Sequence, residues 1–282
     1  MDIVELLNYT FFRNALLGSF LASIACDIIG SYVVARRMVF ISGGITHASF
    51  GGIGIGFYYG FNPILSALVF SVLSAFGIQW LSKNQNVRED SAIGVFWSLG
   101  MALGIILIFL SPGYAPNLSE YLFGNILTIS QTDIMLLAIL SVVLILFFTF
   151  FYRSILNVSF DKEFAKTRGL PVAFLEYTLI MLVAVTIVLS IRLVGIVLLI
   201  SLLTVPQMTA NIFTNKFSKI IVASVAISFV GCIAGLLLSY TLNVPSGAFI
   251  IFVLISIFLM AKLGVSLCRL VKGNDLRVRG KG

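Results

Sequence analysis

The chain has 282 residues, of which 60% are hydrophobic and 10% are charged, and its mean hydropathy is +1.11. A soluble globular domain carries about 25% charged residues, so this composition excludes one and indicates an integral membrane protein. The formal charge of +7 does not indicate nucleic-acid binding, because the basic residues are scattered over loops and a short tail. The three cysteines lack metal-site spacing and indicate neither a disulfide framework nor a zinc finger.

Runs of about 20 apolar residues follow one another with short polar breaks, and each is long enough to cross a bilayer as a helix. We predict spans at residues 14–35, at a segment ending near residue 60, and at residues 63–81, 92–110, 133–151, 176–191, 193–209, 220–240 and 246–266. The predicted fold is all-α, a polytopic integral membrane bundle in one domain over residues 1–282. It has eight or nine transmembrane helices, since one segment that only half-crosses would reduce the count to eight.

Basic residues mark one end of these spans, at Arg36-Arg37, in residues 82–90, in residues 157–171 and in the tail after residue 266. Cytoplasmic loops carry an excess of lysine and arginine, so we expect all four segments on the cytoplasmic side. This orientation places the N-terminus outside and the C-terminus inside. The N-terminus has no basic stretch before its apolar run, and we expect it to be retained rather than cleaved.

The single histidine, His47, lies in a glycine-laced apolar segment of the second span. In a helix, Gly44, Ala48, Gly52 and Gly56 form a stripe of small residues along which a neighbouring helix can approach closely. We predict that His47, beside this stripe, projects into the bundle, where a polar ring needs a partner. The alternative is a histidine that only fills space in the packing.

Two other spans carry polar groups at membrane depth. Asp27 lies near the middle of the first span, where an unpaired carboxylate costs about 2.5–3.5 kcal/mol on insertion scales. It is either part of a functional site or held by a structural hydrogen bond. In the seventh span Pro206 frees a backbone carbonyl, and Ser201 and Gln207 beside it either line a path or make interhelical hydrogen bonds.

Two loops are long enough to have structure of their own. Residues 111–130 are too polar to span, and we predict an interfacial helix there on the outer side. Residues 157–171 have an apolar face of Phe160, Phe164 and Ala165 among cations and end at Gly169-Leu170-Pro171, a helix stop. We predict a short amphipathic cytoplasmic helix, which is either a docking site for a soluble partner or an ordinary interfacial loop.

Several motifs in this order and spacing together resemble the membrane permease subunits of bacterial manganese/zinc ABC importers, a family whose members also carry ferrous iron. The resemblance covers nearly the whole chain. Its motifs are Arg36-Arg37-Met38, Thr46-His47-Ala48, Glu89-Asp90-Ser91-Ala92-Ile93-Gly94, Tyr121-Leu122-Phe123-Gly124-Asn125-Ile126-Leu127, Phe160-Asp161-Lys162-Glu163-Phe164-Ala165, Gly169-Leu170-Pro171, Val194-Gly195 and Leu202-Leu203-Thr204-Val205-Pro206.

The resemblance implies a permease that works as a homodimer in the bacterial cytoplasmic (inner) membrane, with two cytoplasmic ATP-binding subunits below it and an extracytoplasmic metal-binding protein that delivers the ion. It implies that the cytoplasmic helix is the coupling element, with Phe160, Asp161, Glu163, Phe164, Ala165 and Gly169 at the ATPase contact. The predicted translocation path is His47, Asp27, Thr46, Ser201 and Gln207. The chain itself is expected not to be an enzyme and to hold no permanent cofactor, since ATP is used by the partner subunit.

One position departs from the family pattern. The family usually has an aspartate four residues before the histidine, where the two side chains can share a divalent cation. Here that position is Gly43. We hypothesise that Asp27 from the first span faces His47 instead and forms a transient cation site with it.

Other functions remain open on the sequence alone. A secondary transporter or channel for cations needs charged relay residues in several spans, whereas Asp27 and His47 are the main candidates here. An intramembrane metalloenzyme needs several ligands and a base, and a permease for iron chelates or cobalamin fits the His47 segment less well. The chain has no GxxxxGK[ST] phosphate loop, and the metal carried, whether zinc, manganese or ferrous iron, is not specified by these residues.

Overall fold

A computed structural model of the chain describes residues 8–85, 87–111, 124, 126 and 129–279. These residues form eleven α-helices, α1 Thr10–Ala35, α2 Val39–Tyr59, α3 Pro63–Asn84, α4 Glu89–Leu110, α5 Gln131–Phe150, α6 Tyr152–Phe160, α7 Lys162–Thr167, α8 Val172–Leu202, α9 Val205–Phe213, α10 Phe217–Leu242 and α11 Ser246–Arg279. Within the described ranges nine segments are long and apolar enough to cross a membrane. The predicted all-α polytopic bundle is confirmed, and the described residues contain nine candidate spans.

The helix bundle has two groups of helices joined by α8. Helix α2 packs along both α3 and α4, while α1 packs against α5 and α10, and α10 against α9 and α11. Helix α8 contacts members of both groups, whereas α1 and α2 touch each other only slightly. The two spans that carry Asp27 and His47 therefore belong mainly to different groups.

The glycines of α2 explain its central position among three neighbouring helices. A methyl group added at Gly52 would lie 2.5 Å from Cα of Ala67 in α3, and one added at Gly54 would lie 2.7 Å from Cα of Gly104 in α4. Such distances are shorter than real carbon contacts, so only glycine allows the backbones this close. The predicted close approach along the stripe is confirmed, because Gly44 and Ala48 pack against α4 while Gly52 and Gly56 pack against α3.

Some helices begin at local sequence signals. Asn62 caps α3 by accepting hydrogen bonds from the backbone of Ile64 and Leu65, and Pro63 stands in the first turn, at the predicted start of this span. Ser130 and Asp133 form a capping box at the start of α5. Helix α4 begins at Glu89, before the predicted start of its span at residue 92. Its first turn places Glu89 and Asp90 at the positive end of the helix dipole.

Helix α8 departs from regular helical geometry at Gly195. This residue has φ 72° and ψ 168°, a conformation open to glycine alone. Gly124, which also has a positive φ, packs directly on the backbone there, because an added methyl group would lie 2.7 Å from the carbonyl oxygen of Val194. Most of the predicted interfacial helix at residues 111–130 lies outside the described residues, but Ile126 is buried in the main core.

Pro206 does not break a continuous helix. Helix α8 ends at Leu202, and Pro206 stands in the first turn of α9, where its missing N–H and fixed φ are tolerated. The carbonyl oxygen of Leu202 would accept from position 206 in an unbroken helix, but a proline has no N–H to give. The side-chain amide of Gln207 donates to that oxygen instead, at 3.0 Å.

Candidate functional site

His47 is held in place by the packing of α2. Between residues 41 and 56, His47 and Ile55 are the only side chains that are not buried. The imidazole stacks on the ring of Trp97 from α4, with 4.0 Å between the ring centroids and 10° between the planes. Trp97 is itself exposed, so the imidazole lies at an edge of the helix pair rather than enclosed in the bundle as predicted.

The imidazole keeps the capacity to bind a ligand. Nδ1 of His47 is buried and finds no hydrogen-bond partner among the described residues. A neutral imidazole nitrogen of this kind is a common ligand for divalent cations. Gly43, one helical turn before His47, is buried, and a Cβ added there would be in ordinary van der Waals contact with Cζ3 of Trp97 at 4.0 Å. The backbone at Gly43 therefore leaves space for a small side chain beside the ring.

Asp27 has a defined partner elsewhere. It is fully buried, and its Oδ1 accepts a hydrogen bond of 2.7 Å from Nε2 of Gln207. The same nitrogen donates to the carbonyl oxygen of Leu202, so one amide joins α1 to the break between α8 and α9. Gly30 makes the approach possible, because a methyl group there would lie 2.9 Å from Cδ of Gln207.

The structure thus brings together two of the predicted path residues, Asp27 and Gln207, and gives His47 a different neighbour. Among the described residues no group of three or more histidine, cysteine, aspartate or glutamate side chains is placed to hold a metal ion. The cation site shared by Asp27 and His47 stays a prediction.

The other two predicted path residues bond within their own helices. The hydroxyl of Thr46 donates to the carbonyl oxygen of Ser42 at 2.6 Å, and that of Ser201 donates to the carbonyl oxygen of Val197 at 3.2 Å. Such bonds to the preceding turn satisfy a hydroxyl without a partner helix. Thr46 is buried, whereas Ser201 is partly exposed.

A cavity of about 270 Å³ lies between α2, α3 and α8. Ser49 and Asn62 contribute its polar groups, and Ile53, Pro63 and Val188 are among its apolar walls. Ser49 is two residues beyond His47, or about 200° around the helix. The cavity and the imidazole therefore lie on opposite faces of α2.

The predicted cytoplasmic helix is present as α7, with Asp161 as its N-cap, accepting from the backbone N–H of Phe164 at 2.9 Å. Ala165 is buried against Val158, Val172 and Leu175, so it fastens α7 to the rest of the protein. Phe160, at the end of α6, and Phe164 are exposed. The face open to a partner therefore holds the two phenylalanines but not the alanine.

The remaining predicted coupling residues lie at the exposed surface of this helix. Glu163 accepts a 2.8 Å hydrogen bond from Nζ of Lys166, and this bond raises the pKa of Lys166 above its ordinary value. Gly169 ends the segment with φ 70°, and an added Cβ there would meet no atom within 4 Å. The conformation of Gly169, rather than close packing, demands a glycine.

Glu176 was not among the residues predicted from the sequence. This side chain, in the second turn of α8, is buried and pairs with Arg36, Lys83 and Lys162. The sequence did offer one signal for this residue. It is an acidic residue at the end of a predicted span, on the side where several loops are basic. The contact also confirms that the basic ends of α1 and α3 and the loop before α8 lie on one side of the protein, as the charge pattern predicted.

In the described part of the chain, the nine candidate spans and their close glycine packing are those of a polytopic membrane protein. Comparison with known proteins gives the family. Residues 8–264 match the ABC 3 transport family, and the chain belongs to that family. It is therefore the membrane-spanning part of an ABC transporter, which works with an ATPase and a substrate-binding partner.

The relatives and solved structures extend over almost the whole chain. An uncharacterized membrane protein of Synechocystis sp. is 43% identical over 89% of this chain and 89% of the relative. The manganese transport system membrane protein MntC of Listeria monocytogenes is 35% identical over 92% of each chain. The structure of PsaBC from Streptococcus pneumoniae in complex with Fab matches with a TM-score of 0.83 at 30% identity, covering 92% of this chain and 95% of that one.

Proposed function

We propose that this chain is the permease subunit of an ATP-driven importer that carries a divalent metal cation into the cell by alternating access, with Mn²⁺ as the first candidate. The likeness to a manganese transport protein of Listeria monocytogenes over 92% of each chain supports the choice of metal. Zinc and ferrous iron remain competing substrates, because all three ions accept imidazole and oxygen ligands.

The proposal rests on the position of the His47 imidazole and on the hydrogen-bonding capacity left at its Nδ1. The imidazole lies on α2, the most buried candidate span in the described part of the chain, and stacks on Trp97. Its Nδ1 finds no partner among the described residues. A transported ion needs a ligand that is in place before it arrives and that binds weakly enough to release it. One imidazole with neighbouring space meets both conditions.

The rest of the machinery belongs to partners in this proposal. Two copies of the chain form the translocation path, and an extracytoplasmic protein delivers the ion. The exposed Phe160 and Phe164 at α7 insert into a groove of the ATP-binding subunit, since apolar side chains exposed to the cytoplasm favour a partner surface. ATP is hydrolysed by that subunit, and this chain needs no resident cofactor of its own.

Uptake measurements test the proposal directly. The chain, its ATPase and its binding protein are placed in proteoliposomes, and the entry of Mn²⁺, Zn²⁺ and Fe²⁺ is measured with and without ATP. We expect uptake of Mn²⁺ only when ATP is hydrolysed. Equal entry without ATP would overturn the importer and favour a channel or gradient-driven carrier, and ATP-dependent uptake of another ion alone would overturn the choice of metal.

Because the chain has a single histidine, selective labelling with ¹⁵N-histidine marks His47 alone, provided that no histidine tag is present and the partners are unlabelled. Electron spin-echo spectroscopy of bound Mn²⁺ then detects whether this imidazole is a ligand. We expect a change in the nitrogen modulation between the labelled and unlabelled chain, and its loss in His47→Gln. Identical spectra for the two isotopes would remove His47 from the path.

A further inference from the structure

Glu176 is the meeting point of four helices at the basic side of the bundle. Its Oε1 contacts Nη2 of Arg36 at 3.3 Å and Nζ of Lys162 at 2.5 Å, and its Oε2 contacts Nζ of Lys83 at 2.7 Å. We call these four residues the Glu176 cluster. Arg36 follows α1, Lys83 is in the last turn of α3, Lys162 begins α7, and Glu176 is in the second turn of α8.

The charge balance of the Glu176 cluster is unusual for a purely structural ion pair. One carboxylate meets three cations, and its side chain is only 8% exposed, whereas those of the two lysines are 41% exposed. Three like charges repel one another unless the carboxylate holds them together, and a buried charge left without its partner is costly. The cluster therefore depends on Glu176 far more than on any one of the cations.

Arg36 extends the cluster to the segment that precedes α7. Its Nη1 donates to the carbonyl oxygens of Val158 at 3.1 Å and Ser159 at 3.2 Å. These are carbonyls of the last turn of α6, where the helix dipole favours a cation. The chain leading into α7 and the start of α7 are thus both tied to the end of α1.

Helix α7 has little else to hold it. It has six residues, too few to be stable as an isolated helix, and Ala165 is its buried apolar contact. A cavity of about 130 Å³ lies beside the cluster, lined by Gln79, Glu89 and others. It gives the lysine side chains room to rearrange while they keep contact with the carboxylate.

We propose that Glu176 is a positioning residue that transmits displacement of α7 to α1 and α3. Helix α1 carries Asp27, nine residues or about 13.5 Å from Arg36 along the helix, and α3 packs on α2, which carries His47. Movement of the ATPase contact is thereby passed to the helices that line the translocation path. This inference rests on the proposed function, because it assumes that a partner ATPase moves α7.

The test uses the complete complex in proteoliposomes, with complex assembly, ATP hydrolysis and Mn²⁺ uptake measured on the same preparation. In Glu176→Gln we expect hydrolysis to continue while the Mn²⁺ taken up per ATP falls by roughly fivefold or more, which is the scale of ordinary coupling between sites. The matched control is Glu89→Gln. It removes a carboxylate that lines the same cavity but forms no ion pair within the described part of the chain, and its uptake per ATP is expected to stay at the wild-type value.

A second variant keeps the proposal testable where Glu176→Gln does not assemble. Lys162→Met removes only the contact with α7 and leaves Glu176 paired with Arg36 and Lys83. It is expected to lower uptake per ATP in the same direction, and the double variant is expected to be no worse than Glu176→Gln alone, because both remove the same connection.

Two results would overturn the inference. If Lys162→Met takes up as much Mn²⁺ per ATP as the wild type does, the contact between Lys162 and Glu176 transmits no movement. Uptake and hydrolysis that fall together in proportion to the assembled complex show that Glu176 only stabilises the fold. A wild-type complex without any ATP-dependent uptake would instead overturn the proposed function, so the two failures are distinguishable.

Discussion

The hydrogen bond between Asp27 and Gln207 joins α1 to α9 across 180 residues of sequence, and its contribution to stability can be measured. Gln207→Leu keeps a similar side-chain volume but removes the amide donor from both Oδ1 of Asp27 and the carbonyl oxygen of Leu202. Interhelical hydrogen bonds in membrane bundles contribute about 0.6 kcal/mol on average, which sets a lower limit of about 1 kcal/mol for the two. A buried polar group left without its partner costs about 1–3 kcal/mol, so we expect a loss of roughly 1–3 kcal/mol.

A double-mutant cycle isolates the interaction. The unfolding free energies of Asp27→Leu, Gln207→Leu and the double variant are measured in bicelles by steric trapping, which needs no transport activity. In Asp27→Leu, the Gln207 amide still donates to the carbonyl oxygen of Leu202. In the double variant, only that carbonyl oxygen is left without its donor. We therefore expect the double variant to be more stable than the sum of the single effects predicts, by about 1 kcal/mol. Additivity within about 0.5 kcal/mol would refute the reasoning, because independent sites behave in that way.

Asp27→Asn is expected to fold, because the asparagine oxygen can still accept from the amide, and to lower metal uptake in proteoliposomes; uptake at the wild-type level would remove this carboxylate from the path. Gly54→Ala is expected to cost about 1–3 kcal/mol of unfolding free energy, since a methyl group there lies 2.7 Å from the α4 backbone. Gly94→Ala, where an added Cβ has no atom within 4 Å, is expected to be neutral or stabilising by up to about 1 kcal/mol. Thermal denaturation measures both variants, and equal stabilities of Gly54→Ala and Gly94→Ala would contradict the packing argument. Gly43→Asp places a carboxylate one turn before His47, where an added Cβ meets only Cζ3 of Trp97 at 4.0 Å. It is expected to tighten Mn²⁺ binding about tenfold, or about 1.4 kcal/mol, as measured by the spin-resonance signal of free Mn²⁺. An unchanged affinity would show that the ion does not approach this face.

The spans were predictable because apolar length and the bilayer are matched by simple geometry. Short-range signals were equally reliable: Asn62 and Pro63 are adjacent in sequence, and the cap they form needs no tertiary information. The start of α4 was wrong because several polar residues in a row offered competing caps, and which one ends the loop depends on packing that the sequence does not display.

The site was predicted as a set of residues but not as a set of contacts. Asp27 and Gln207 were both selected for their polarity at membrane depth, yet the sequence contains nothing that pairs positions so far apart. Trp97, which stacks on His47, looked like any aromatic residue of a lipid-facing span. Glu176 was overlooked because its cations come from three separate loops, and their convergence exists only in the folded chain.

The prediction that Pro206 frees a backbone carbonyl agrees with the structure, where that carbonyl is the one of Leu202. The sequence did not show whether the proline kinks one helix or begins a second, because both have the same composition. What separates them is the Gln207 side chain, which bonds the carbonyl oxygen of Leu202 and so stabilises the break. Gln207 directly follows Pro206 in the sequence, but its bond to Leu202 depends on a side-chain rotamer that only the structure shows.

The tight packing of α2 limits how the transporter can move. With its glycines in backbone contact with α3 and α4, α2 cannot slide, rotate or tilt by itself without forcing main chains into one another. Any change in the position of His47 would then be a joint displacement of α2, α3 and α4. Under the proposed function, an ion bound beside His47 would move with these three helices rather than with a single side chain.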